Sequence, residues 1–189
     1  AAPAAYVKII WRDLGICVKP TLRLCAEIIG LFCAHTQNDW MRIALNARHM
    51  LVDRLEGLGI VTDEVMGRMA KSHPEDQFDY YFDRKYDQRF VHSTNVTPHT
   101  KHPVTRLPIL IRYWLDHPVR KDVVKQKANV FFSPDGFIPL GMGIPKVSMV
   151  HDVAYLRYPE HLQPRIRSFY KKWMPRYLAY TDHIITVSE

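Results

Sequence analysis

Five short runs govern what this chain can fold into. They are "MRIALNA" from Met41, "FDYYFD" from Phe78, "NVFFS" from Asn129, "KVSMV" from Lys146 and "HIITVS" from His183. Each is apolar and rich in β-branched or aromatic residues, which reads as a strand. Helical patterns lie between them. Gly57 and Gly59 open a helix that runs to about Lys71, with Val65, Met66 and Met69 on its apolar side, and His73 and Pro74 stop it. Leu110 to about Lys127 reads as a helix broken or kinked at Pro118, and Ile166 to Tyr180 as a basic aromatic helix. A further short strand is expected near Asn95. Strands alternating with helices predict an α/β fold: a Rossmann-like parallel sheet with helices on both faces. Ligands of such sheets sit outside the carboxyl ends of the strands. That edge collects three polar loops: the one after Asn46, "SPDG" after Phe132, and His151–Asp152 after Val150.

Length and charge narrow the classes. A chain of 189 residues holds one domain with a sizeable core, or one domain plus an appendage. The net charge of +7 and pI near 9.4 favour acidic partners such as phosphates, nucleic acid or anionic lipid. Nucleic acid is not expected, because the chain carries no RNA-recognition signature, zinc ligand set or basic helix with regular aromatic interleaving. A nucleic-acid-binding or non-catalytic interaction domain stays as the alternative class. No stretch of about 18 uncharged apolar residues reads as a transmembrane helix.

The cysteines are three, Cys17, Cys25 and Cys33, an odd number confined to the first forty residues. That is no disulfide framework, and it points to a reducing compartment. No second ligand set completes a metal site, so no metal is expected. Residues 1–40 read as an upstream extension and residues 41–189 as the domain. The extension's second apolar patch, "TLRLCAEIIGLFCA", is too short to span a bilayer, and a charge inside it argues against a signal peptide.

"NVFFSPDGFIPL", "PKVSMVHDVAYLRYPE" and "YTDHIITVSE", in this order, resemble the amino-terminal half of a family-4-type retaining glycosyltransferase of the two-domain GT-B fold. The strand at Met41 and the "EGLG" turn are similar to that family's opening. The resemblance covers about residues 41–189. It departs from the family at the turn, where Gly57-Leu58-Gly59-Ile60 stands for the frequent Gly-Ile-Gly-Arg, so position 60 offers no basic side chain to a phosphate. The first domain of the family ends near the position of Glu189. The resemblance therefore implies an acceptor-side domain whose donor-binding partner domain lies outside these residues, and a fragment inactive alone. It further implies a nucleotide-sugar donor, a glycan or lipid-linked acceptor, no cofactor, and a cytoplasmic place, either free or peripheral on the inner face of the membrane.

The resemblance also assigns residues. A diphosphate leaving group needs its charge stabilised and the acceptor hydroxyl positioned. Gly57 and Gly59 would admit the diphosphate or acceptor close to backbone, or else they make a tight turn. The resemblance sets His151 against the transferred sugar as the catalytic-site residue; the plainer reading is a polar strand end. Asp152 orients the loop or acceptor, or caps the next turn. Asp135 and Gly136 are strong turn chemistry, in a loop that the resemblance places near the acceptor. Arg48 and His49, just past the first strand, point to the same place. Arg165, Arg167, Lys171, Lys172 and Arg176 form either a solvated face or a surface for anionic lipid.

Overall fold

The structure is a computed structural model that describes residues 5–7, 40–53 and 55–186. Its strands are β1 (Ala5–Val7), β2 (Arg42–Asn46), β3 (Gln77–Phe82), β4 (Val96–Thr100), β5 (Val130–Ser133), β6 (Lys146–Val150) and β7 (His183–Thr186). The helices are α1 (Gly57–Ser72), α2 (Pro108–Trp114), α3 (Arg120–Lys125), α4 (Ala154–Arg157) and α5 (Pro164–Tyr180). The strands form one sheet in the order β1-β7-β6-β5-β2-β3-β4, and every neighbouring pair is parallel. The expected Rossmann-like parallel sheet is therefore present.

From β2 outward the chain first walks one way, through β3 to β4. It then returns and walks the other way, through β5 and β6 to β7. The reversal falls between β2 and β5. This is the topological switch point of a doubly wound sheet, where loops on either side diverge and leave a crevice.

Strand periodicity divides the core in two. Ile43 and Leu45 point to one face with Phe78, Tyr80 and Phe132, where Val65, Met66 and Met69 of α1 cover them. Ala44, Tyr81 and Phe131 point to the other face, under Trp114 of α2, Val123 of α3 and Trp173 of α5. Helices thus lie on both faces. Burying a side chain of this size is worth about 1.5–3 kcal/mol, so the two clusters supply the main drive to fold.

Pro118 is absorbed without a break. The expected helix starts at Pro108, whose fixed φ suits a first turn, and continues through a π-helical turn, Leu115–Val119, into α3. The second strand ends one residue earlier than expected, at Phe82. Asp83 is left just beyond it, fully buried. Its carboxylate accepts the Thr105 backbone N–H and hydroxyl at 2.6 Å each and a two-pronged pair from Arg84 at 2.7 and 2.8 Å. β1 belongs to the segment read as an extension, and its backbone pairs with His183–Ile185 at the sheet edge. The cysteines, the two apolar patches beyond β1 and the closing Ser188–Glu189 lie outside the described residues. Among the described residues no helix is long and apolar enough to cross a membrane.

Candidate functional site

At the switch point the ends of β2 and β5 are polar. Asn46 closes β2 and Ser133 closes β5, both fully buried. Asn46 Nδ2 donates to Ser133 Oγ at 3.1 Å and to Asp135 Oδ1 at 3.0 Å. The Ser133 hydroxyl lies 2.7 Å from Asp135 Oδ1 and 2.6 Å from the Phe137 carbonyl, and its single proton serves one of them at a time. The Phe137 N–H donates to Oδ1 at 3.0 Å.

The other carboxylate oxygen faces the β2 loop. Arg48 Nε donates to Asp135 Oδ2 at 2.8 Å, and His49 Nε2 lies 2.9 Å from the same oxygen. The Asp135 side chain is only 3% exposed. Burial alone would raise its pKa, but the charge of Arg48 and the hydrogen bonds from His49 and Ser133 prevail, and its carboxyl sits well below the usual range. Asp135 is thus the knot that ties the β2 loop to the β5 loop. Arg48 extends from it over the ring of Phe137, 5.3 Å from the centroid.

His151 follows the last residue of β6 at the carboxyl edge, as expected. Its Nε2 lies 2.8 Å from the Pro134 carbonyl, so the third loop is tied to the same knot. Asp152 Oδ1 accepts the Ala154 N–H at 2.8 Å. Asp152 thus holds the first N–H of α4 from two residues back, and the exposed residue also borders the site.

A cavity of about 420 Å³ opens among these loops. Arg48, His49, Gly57, Asp135, His151 and Asp152 all line it. Leu58 borders it too, so the start of α1 faces the opening. That helix follows Glu56, whose side chain does not cap it, and has no acidic residue in its first turn. Its first N–H groups and positive dipole end are the kind that receive an anion. Tyr155 and Tyr170 close the far wall, their rings 5.5 Å apart. Burial raises the pKa of both phenols, so both stay protonated hydroxyls.

Two assigned glycines serve the fold instead. A Cβ on Gly59 would stand 2.5 Å from the His49 carbonyl oxygen and 2.8 Å from Leu55 Cδ1. Its missing side chain admits the protein's own β2 loop, not a ligand, and Gly59 does not line the cavity. Gly136 has φ of +79°, the left-handed region, and a Cβ there would lie 3.1 Å from Met174 Cε. It makes the turn that presents Asp135. Gly57 differs: nothing lies within 4 Å of its missing Cβ.

Asn46, Ser133 and Tyr170 were not singled out by the sequence, whereas Tyr155 stands in the polar run that follows His151. The signal for the first two was present, since each is the polar last residue of an otherwise apolar strand. On α5, Arg165, Lys171, Lys172 and Arg176 are exposed. Arg112 and Arg176 lie 3.9 and 4.8 Å from the ring centroid of Trp173, so part of this basic face packs on an aromatic ring. Among the described residues one group could hold a cation, His73, Glu75 and Asp76, and it lies away from the cavity. No protein-family model, curated protein or solved structure matches the chain.

Proposed function

We propose that residues 41–189 are the acceptor-side domain of a retaining glycosyltransferase that uses a nucleotide-sugar donor and a glycan or lipid-linked acceptor. One observation carries the reading. The uncapped start of α1, Arg48 and His151 border a single cavity at the switch point, and these are the groups such a donor needs. The helix start offers backbone N–H groups to the diphosphate, with Gly57 leaving the approach open. Arg48, ion-paired with Asp135, cancels that carboxylate's charge beside the anion's approach. His151 offers a ring nitrogen to the transferred sugar. The acceptor enters along the loops held by Asp135, which positions Arg48 and His49 without touching substrate. No cofactor or metal has a part in this reading.

The test is saturation-transfer difference NMR with UDP-glucose, GDP-mannose and ADP-glucose. At least one donor should show transfer to its sugar protons, and His151→Ala should reduce that transfer under conditions where the variant stays folded, at a stability cost of about 1 kcal/mol for the lost bond to Pro134. A His151→Ala chain that behaves as the parent does would remove the role given to His151, and donors that receive no saturation would remove the donor contact assigned to these residues. The domain alone should not turn the donor over.

A further inference from the structure

A second cavity, of about 540 Å³, opens where the loop after β4 meets the turn between α2 and α3. It shares no lining residue with the cavity at the switch point. Pro118 brings no N–H to the helix, and the turn around it, Leu115–Val119, is π-helical. Such turns recur at functional sites. His117 stands in this turn, and its ring centroid lies 4.7 Å from that of Tyr113. Tyr113 is 52% exposed, so much of its ring stays open to the cavity that it lines. Pro118 and Val124 add apolar surface beside it.

The rest of the lining is largely basic, with Arg120, Lys121 and His102. Arg120 Nη1 donates to the Leu140 carbonyl at 3.1 Å, which anchors the guanidinium. Its Nε and Nη2 have no partner among the described residues, and neither have Lys121 Nζ and the His102 ring nitrogens. The carboxylate in the lining, Asp116, is already engaged. Its Oδ1 accepts the Leu140 N–H at 2.8 Å, and its Oδ2 lies 3.3 Å from Arg112 Nε, whose charge balances it. Two cations are thus left at the cavity with no acidic partner among the described residues. A terminal phosphoryl group suits them. It carries close to two charges near neutral pH and three acceptor oxygens, to which the guanidinium fork and the ammonium can both donate.

We propose that this cavity binds a phosphate monoester, with its phosphoryl group on Arg120 and Lys121 and its organic ring on Tyr113. A sugar phosphate and a mononucleotide share that chemistry, since each carries a ring beside a terminal phosphate. The site does not rest on the transferase reading. A nucleotide-sugar has no terminal phosphoryl group, and its contacts are assigned to the other cavity. Leu140 joins the two places. Its backbone is held by Asp116 and Arg120, and it lies in the same β5–β6 loop as Asp135. Binding at Arg120 is therefore read at the Leu140 amide.

The experiment titrates the intact ¹⁵N-labelled chain with glucose 1-phosphate, uridine 5′-monophosphate and inorganic phosphate, with chloride at matched ionic strength as the control. The amides of His117, Arg120, Lys121 and Leu140 should move together. At least one ester should bind about fivefold more tightly than inorganic phosphate, the worth of a modest stacking contact, and the tighter ester identifies the source. Lys121→Gln should weaken that binding about tenfold, the worth of one hydrogen bond to a charged group, and leave any shifts of Gly57 and Leu58 as they are. Tyr113→Ala should bring the ester down to the affinity of inorganic phosphate. If Tyr113→Ala fails to fold, Lys121→Gln decides, because Lys121 has no hydrogen bond or ion pair to lose among the described residues. Chloride that moves these amides equally, esters no tighter than inorganic phosphate, or a Lys121→Gln chain that binds as the parent does overturns the inference. Shifts confined to Gly57 and Leu58 also overturn it and leave the transferase reading standing.

Discussion

His151 is tied to Pro134, its Nε2 2.8 Å from that residue's carbonyl oxygen, one position before the carboxylate that holds Arg48 and His49. Three loops from β2, β5 and β6 are thereby locked at adjacent points of a single turn. The site is a built arrangement of buried polar groups, and its loss should be felt in the fold.

Asp135→Ala should therefore destabilise the chain strongly. It leaves the Arg48 charge, 9% exposed, without its partner, and deprives Asn46 and the Phe137 N–H of an acceptor. Breaking a buried pair from one side costs about 3–5 kcal/mol. Urea denaturation measures this. A loss near zero would mean the loops are held by something other than Asp135.

The two glycines of the "EGLG" turn should separate cleanly. Gly59→Ala pushes a methyl group against the His49 backbone and should cost about 1–3 kcal/mol, the range for overpacking. Gly57→Ala meets open space at a helix start and should stay within about 0.5 kcal/mol. Equal effects in thermal unfolding would contradict the assignment of one to packing and the other to the cavity.

Acid should unfold the protein through its buried carboxylates. For Asp79, burial is outweighed by hydrogen bonds from His99 and Arg42; for Asp83, by those from Arg84 and Thr105; for Asp122, by Lys101. With Asp135, all four bind protons less readily in the fold than their ordinary pKa near 3.9 allows. The unfolded chain thus takes up more protons. The stability they contribute is present above about pH 4 and lost as pH falls through their folded values. Asp76 works in the opposite sense. Burial raises its pKa, so its contribution is present below about pH 4 and lost as pH rises through the raised value. With four groups against one, the urea midpoint should fall between about pH 6 and pH 3. A flat or rising midpoint would show that these carboxylates are not held as described.

Much of this was legible in the sequence, because the signals were local. The apolar runs at Arg42, Val130 and Lys146 are strands within a residue or two, and a parallel sheet follows from the helices between them. His151 at a strand end and Asp135 in a Pro-Asp-Gly turn were visible for the same reason. Gly59 was misplaced because only the fold shows what its missing side chain would strike: the His49 backbone, ten residues earlier. Asn46 and Ser133 were passed over since each looks like a neutral polar end. Their pairing joins residues 87 apart, and no periodicity carries that information. The wall of Tyr155 and Tyr170 depends likewise on how α4 and α5 pack.

The central claim is that the cavity at the switch point receives the diphosphate of a nucleotide-sugar at the start of α1. Backbone amide shifts tested with UDP-glucose, GDP-mannose and ADP-glucose address it most directly. The account predicts that one of these donors moves the amides of Gly57 and Leu58 furthest, with those of His49 and His151 following, while β3 and β4 stay still. Gly57→Val should weaken that titration at least tenfold, as expected for a branched side chain placed in the anion's approach. Shifts confined to surfaces away from Gly57 and His151, or none from any donor, would contradict it.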